Sequence, residues 1–246
     1  MAESGYRGSP MKLLAIETAT PGSSVAVVED RRTLAAASRI DRMGHAGFLV
    51  PAIDFCFDQV GWSPDDLDAV IVDIGPGLYT GIRVGLATAQ GLAAAFGIPL
   101  VPAVSVDALA LEAKTGHRVI WAVIDARRGE FAVARYRPVP GGVVRESGTE
   151  LMDPEELKAT LLSTAEDSLV VGEAAELPEG FFRGMHHVKT ARPRYPYAVA
   201  LAEIGAGKFE RDDYPSPEDV RPLYMREPDV TINWEKLREE GPWGPQ

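Results

Sequence analysis

Three carboxylates stand at the ends of short apolar runs. Glu17 closes KLLAIE (12–17), Asp73 sits near the end of AVIVDI (69–74), and Asp125 closes HRVIWAVID (117–125). Acids at strand ends are common in any α/β protein. In a two-lobed chain these three could instead face one cleft and hold Mg²⁺ on a nucleotide. The sequence leaves both readings open. Arg127 and Arg128 follow Asp125 and could pair with these acids or with a phosphate.

A second candidate lies just after Asp73. Gly75-Pro76-Gly77-Leu78-Tyr79-Thr80-Gly81 joins an apolar run to a long apolar segment, Ile82 to Phe96. Strand, glycine turn and helix gather backbone N–H groups at a helix N-terminus, which favours anions. The dinucleotide fingerprint is not met, because Thr80 stands where it requires its last glycine. Nor is a Walker A loop, because Ile82 rather than Lys follows Gly81. An anion-friendly turn is what remains. Thr80 is the candidate N-cap, and Gly97 followed by Pro99 ends the helix.

Other chemistries find little support. There is no Gly-x-Ser-x-Gly elbow and no His-Glu-x-x-His pair. Cys56 lies in an apolar helix, where a thiol reads as packing. Four residues after His45 comes Leu49, so a His-x-x-x-His metal pair is missing and His45 reads as a surface or capping residue. His186-His187 falls in a loop without further ligands nearby. A net charge of −11 repels phosphate backbones, so the chain alone is a poor nucleic-acid binder. One cysteine excludes an internal disulfide and fits the cytoplasm. No apolar run reaches the ~18 residues of a membrane span.

The elements that must position these residues read as two mixed α/β halves. Runs 12–17, 23–29 and 33–40 are three antiparallel strands, and 44–61 and 80–96 are helices. Strands at 69–74 and 100–102 and a helix at 105–113 complete the first half. A second carboxylate-ended hairpin, 117–125 with 130–136, echoes the first and suggests internal duplication. Further on come strands at 143–151 and 168–171, helices at 153–162 and 197–208, and an irregular stretch at 178–194. The expected division is a loose extension 1–11, lobes 12–104 and 105–232, and a tail 233–246 with a short charged helix.

The first two helices carry more apolar residues than one sheet contact requires. The surplus includes Phe48, Leu49, Ala52, Phe55 and Cys56 on the first, and Ile82, Gly85, Leu86, Ala89 and Ala93 on the second. Gly81, Gly85, Ala89 and Ala93 form a row of small residues that lets another backbone come close. The helices are either enclosed by their own lobe or share one face with a second protein.

Three stretches carry a family resemblance: LLAIETAT (13–20), GPGLYTGIRVG (75–85) with Gly91-Leu92-Ala93, and DARRGE (125–130). The chain resembles the bacterial TsaB (YeaZ) family over about Lys12 to Arg226, where Tyr224-Met225-Arg226 matches a closing Tyr-x-Arg. The resemblance implies two lobes of the actin/Hsp70/sugar-kinase (ASKHA) fold. It also implies a non-catalytic subunit serving threonylcarbamoyladenosine formation on tRNA, at the adenosine beside the anticodon. The implied partner is the catalytic paralogue TsaD, met through the first two helices, with a TsaE-type ATPase in the complex. The same helices would form a homodimer when the chain is alone, and tRNA would be reached only through the complex. The alternative is an ASKHA-type enzyme binding ATP or ADP with Mg²⁺, at or near a subunit interface. Its site would comprise Glu17, Thr18, Asp73, Gly75, Gly77, Thr80, Gly81, Arg83 and Asp125. Two departures bear on it: Glu17 stands where the family usually has Asp, and Ala19 where it often has Ser or Thr. A glycoprotease-like peptidase is a remote third reading, resting on Cys56 and scattered serines.

Overall fold

The structure is a computed structural model that describes residues 9–113 and 116–226. The expected tail helix at 233–240, and the extension up to residue 8, lie outside the described residues.

Eight β-branched or apolar residues in β1 (Lys12–Glu17) and β4 (Ala69–Asp73) make these two strands the centre of the first sheet. The order is β3-β2-β1-β4-β5, with β2 (Gly22–Glu29), β3 (Arg32–Ile40) and β5 (Leu100–Ala103). β2 runs antiparallel to both β1 and β3, while β4 is parallel to β1 and β5. Side chains alternate between two buried faces. Leu14, Ile16, Val70 and Val72 meet α1 (His45–Val60) and α2 (Tyr79–Phe96). Leu13, Ala15, Ala69 and Ile71 meet α5 (Ala198–Phe209) and part of α3 (Ser105–Ala113).

The second sheet repeats the first. Its order is β11-β10-β6-β7-β8, from β6 (Val119–Asp125), β7 (Phe131–Val139), β8 (Gly142–Arg145), β10 (Ser168–Gly172) and β11 (Val188–Thr190). β6-β7-β8 is an antiparallel meander, and β10 and β11 add in parallel on the far side of β6. Strand for strand, β1 corresponds to β6 and β4 to β10. This agreement supports the duplication that the two hairpins suggested. α3 lies between the sheets, with Ala108 and Leu111 in the core of the first and Val106, Leu109 and Ala110 in that of the second. α4 (Pro154–Ser163) covers the outer face of the second sheet through Leu157 and Leu161.

Several boundaries differ from the sequence reading. Run 143–151 is two strands, β8 and β9 (Glu150–Met152), both paired with β7. The irregular stretch 178–194 contains β11. Thr80 does not cap α2; the helix opens on Leu78 with no side-chain cap. α5 belongs to the 105–232 stretch yet packs on the first sheet, where Gly205 meets Ile71 so closely that a methyl group would not fit.

Candidate functional site

The duplication brings four acids, rather than three, to the carboxyl ends of equivalent strands. Glu17 ends β1 and Asp125 ends β6; Asp73 ends β4 and Glu173 follows β10 directly. Glu17 is wholly buried. Its Oε1 accepts from the amides of Ala19 at 2.7 Å and Thr20 at 3.3 Å, while Oε2 has no partner. Burial, and after it the charge of Asp73, holds Glu17 well above the usual carboxylate range. Asp73 accepts from Ser105 Oγ at 2.7 and 2.8 Å and from the Gly75 amide at 2.8 Å. Burial still pushes it up to about 7. Burial does the same to Glu173, whose Oε2 accepts from the Asp125 amide at 3.0 Å. Asp125 is the most open of the four and holds Arg127 at 2.7 Å.

The expected Mg²⁺–nucleotide site does not fit this arrangement. Among the described residues no three His, Cys, Asp or Glu side chains are placed to share a metal ion. Glu17 and Asp73 are sealed from solvent, and Glu17 Oε1 and both Asp73 oxygens are already taken by hydrogen bonds within the chain. The loop offers no phosphate cradle either. A methyl group at Gly77 would collide with the Ala19 carbonyl, and one at Gly81 with the Thr18 carbonyl. The Leu78 amide donates to the Ala19 carbonyl, and Thr18 Oγ1 donates to the Gly81 carbonyl at 2.8 Å. These glycines let the β1–β2 turn enter, and the turn fills the space a phosphate would need. Gly75 has φ +103° and packs on Ile82. Arg83 is engaged elsewhere: its guanidinium lies 3.9 Å from the Tyr79 ring centroid, and its Nε donates to Tyr224 Oη at 2.8 Å. Cys56 is buried and burial raises its thiol, so it is packing rather than a nucleophile.

The surface of α1 and α2 also departs from expectation. Of the ten apolar interface candidates, Leu49, Ala52, Cys56, Ile82, Gly85, Leu86, Ala89 and Ala93 are buried in the chain's own core. The small-residue row faces inward: Gly81 and Gly85 pack on Thr18. Phe48 is half-buried, and Phe55 is 50% exposed. The outer side carries Val50, which is 54% exposed, with Pro51 and Phe55 on α1, and Ala87, Gly91, Ala94 and Ala95 on α2. A second row of small residues thus points outward, and Gly47 and Gly91 have open space above them.

Comparisons with known proteins now decide the family. Residues 39–179 match the family model described as TsaD: tRNA N6-adenosine threonylcarbamoyltransferase. The tRNA threonylcarbamoyladenosine biosynthesis protein TsaB of Escherichia coli (strain K12) is 28% identical over 231 residues, 92% of this chain and 98% of that protein. An uncharacterized protein of Mycobacterium tuberculosis (strain H37Rv) is 36% identical over 89% of this chain and 93% of its own length. YeaZ from Pseudomonas aeruginosa has the same fold, with a TM-score of 0.73 at 24% identity, covering 87% of this chain and 99% of that one. The chain belongs to the TsaB (YeaZ) family. This family takes part in tRNA threonylcarbamoyladenosine biosynthesis, and the chain shares the YeaZ fold, two mixed sheets flanked by helices.

The motifs that carry the TsaB resemblance prove to be joints of the fold. Gly77 and Gly81 seat the first turn. Tyr224 stacks on Tyr79 with ring centroids 5.3 Å apart, Leu223 N–H donates to the Ile74 carbonyl at 2.7 Å, and Arg226 pairs with Glu130. The closing Tyr-x-Arg therefore ties the end of β4 to the second hairpin. Sequence reasoning missed two residues. Glu173 lies in no motif, and only its equivalence to Asp73 could have found it. His45 is not a surface residue: it is 4% exposed, its Nδ1 lies 2.6 Å from Ser23 Oγ, and its Nε2 has no partner.

Among the described residues no helix is long and apolar enough to cross a membrane.

Proposed function

We propose that this chain is a non-catalytic subunit that binds and activates a TsaD-type paralogue through the outer faces of α1 and α2. The observation that carries this reading is the outward row Ala87, Gly91, Ala94 and Ala95 beside exposed Val50 and Phe55. Small side chains on one helix and large apolar ones on its neighbour suit close helix–helix packing against another protein. Arg83, the one charged residue of α2, is already engaged by Tyr79 and Tyr224. The net charge of −11 leaves tRNA to the partner, in a complex that includes a TsaE-type ATPase. Without TsaD the same face joins two copies of the chain. An ATP-hydrolysing role of its own is disfavoured by the burial of Glu17 and Asp73 and by a glycine loop already filled by the chain.

Size-exclusion chromatography of the chain mixed with a TsaD-type protein tests the proposal. Co-elution is expected. Ala87→Arg and Phe55→Glu should abolish it while leaving the melting temperature within a few degrees, because both side chains sit outside the core. Absence of co-elution, or variants that bind as well as the parent, would overturn it. Gly85→Arg and Ala89→Arg are unsuitable probes, since they would disrupt the fold before any partner is met.

A further inference from the structure

The chain is acidic as a whole, yet one stretch reverses the sign. Between Glu179 and Glu203 there is no acid, while Arg183, Lys189, Arg192 and Arg194 fall in that interval with His186 and His187. The stretch forms one edge of the second sheet, where β11 is the outermost strand and pairs with β10 on its inner side.

The fold turns the anchors of this stretch inward and its cations outward. Met185 and Val188 are buried in the core under the second sheet, with Leu157 and Leu161 of α4. Pro193 and Tyr195 are buried as well, and Tyr195 lies against Gly22 of β2. Main-chain bonds pin the path. Ser168 N–H donates to the His187 carbonyl at 2.9 Å, Ala191 N–H to that of Val170 at 3.1 Å, and Gly172 N–H to that of Pro193 at 2.8 Å. Between these anchors Arg183, His186, Lys189 and Arg192 are exposed, and Thr190 adds an exposed hydroxyl. With the backbone fixed, a ligand has only the side-chain rotamers to order.

Pairing sets three of these cations apart. Arg135, Arg137 and Arg145 on the same sheet each lie against a carboxylate, as Arg194 does against Glu176 at 2.8 Å. Among the described residues Arg183, Lys189 and Arg192 form no ion pair. A lysine on an edge strand blocks strand-to-strand aggregation. That accounts for Lys189 but not for Arg183 and Arg192, which lie outside β11. The apolar side chains say which kind of partner fits. Met185, Val188, Pro193, Tyr195 and Pro196 are all buried, so the edge offers no apolar centre for a protein interface. A polar, positively charged surface is what a nucleic-acid backbone meets.

We infer that this edge of the second sheet holds the phosphate backbone of tRNA while the partner holds the base to be modified. The inference rests on the reading of the chain as a subunit beside a TsaD-type protein, and it adds a direct RNA contact to that role. The net charge of −11 keeps the chain alone from gripping RNA, so the edge acts where the partner already does.

The test mixes the chain with a TsaD-type protein and an unmodified tRNA transcript, and reads fluorescence anisotropy from about 50 to 200 mM salt. Lys189→Glu with Arg192→Glu should weaken tRNA binding about tenfold and lower the salt slope by about 2, one phosphate contact for each cation removed. Arg32→Glu with Arg211→Glu changes the net charge equally, at exposed sites on the side of the first sheet, and should leave affinity within about twofold. Both double variants should keep the parent's melting temperature and its co-elution with the partner. Equal weakening by the two pairs, or by neither, would overturn the inference. So would loss of co-elution in the Lys189 and Arg192 variant alone, which would place an acidic protein surface on this edge. If the parent forms no complex, the partner reading fails, and the same comparison on the chain alone at low salt decides this one. Weaker binding by the edge variant would support it there, and no difference would overturn it.

Discussion

The chain builds the same five-stranded order twice and finishes the two copies differently. In the first, the turn after Glu17 is roofed: Gly77 and Gly81 lie against the carbonyls of Ala19 and Thr18, and α2 continues above them. In the second, the turn after Asp125 is open. Arg127 and Arg128 hold left-handed conformations, and Gly129 has free space around it. The cause lies after the neighbouring strand. β4 leads into the Gly-Pro-Gly loop and an 18-residue helix that returns across the turn. β10 leads only into a short 3₁₀ turn at Ala174–Glu176. The first repeat buries both of its strand-end acids, while the second buries Glu173 and leaves Asp125 and its turn more open.

Substitution of the two turn glycines should break this comparison first if it is wrong. Gly81→Ala places a methyl group on the Thr18 carbonyl oxygen and should cost at least ~3 kcal/mol in urea unfolding, or prevent folding. Gly129→Ala meets no atom and carries only the strain of φ +79°, about 1 kcal/mol. Equal costs would show that the first turn is not sealed.

The acids give a smaller and sign-specific difference. Asp73 rises from 3.8 to about 7 on folding, so the folded state binds its proton more tightly than the unfolded state. That stability is fully present below the unfolded value and is lost as pH rises through about 7; Glu17 and Glu173 act in the same direction. Unfolding free energy should therefore fall by a few kcal/mol between about pH 4 and pH 7. Asp73→Asn should flatten that fall, while Asp125→Asn, whose side chain keeps 16% of its exposure, should flatten it much less. Denaturant midpoints across the pH range decide this, and equal flattening would remove the distinction.

The smallest effect sharpens the picture of the C-terminal tie. Arg83→Ala removes the guanidinium from between Tyr79 and Tyr224 and should cost about 1 kcal/mol. It should also speed proteolysis near Tyr224 more than near Arg127.

Much of this architecture was legible as apolar runs. β1 and α3 start and stop where KLLAIE and SVDALALEA do. β11 was not, because Val188-Lys189-Thr190 is only three residues long and draws its strand character from pairing with β10. The inward face of Gly81 and Gly85 was hidden for another reason. A row of small residues looks alike whether it admits a partner's helix or the chain's own turn, and Thr18 lies 63 positions from Gly81. His45 was misjudged similarly, since its burial depends on Ser23, 22 residues upstream. Asp73 and Asp125 were picked out by position alone. Their protonation was invisible, because desolvation depends on neighbours that only tertiary packing supplies.

The route of the last described residues governs the order of folding during synthesis. Ala198 N–H donates to Ser24 Oγ, Gln90 donates to the carbonyls of Pro217 and Val220, and Leu223 closes on Ile74. The amino-terminal sheet is thus completed by residues 127 to 174 positions further along the chain. On the ribosome it must wait, with one face bare, until α5 has been made. A nascent chain halted before α5 would expose that face to chaperones rather than present a finished first lobe.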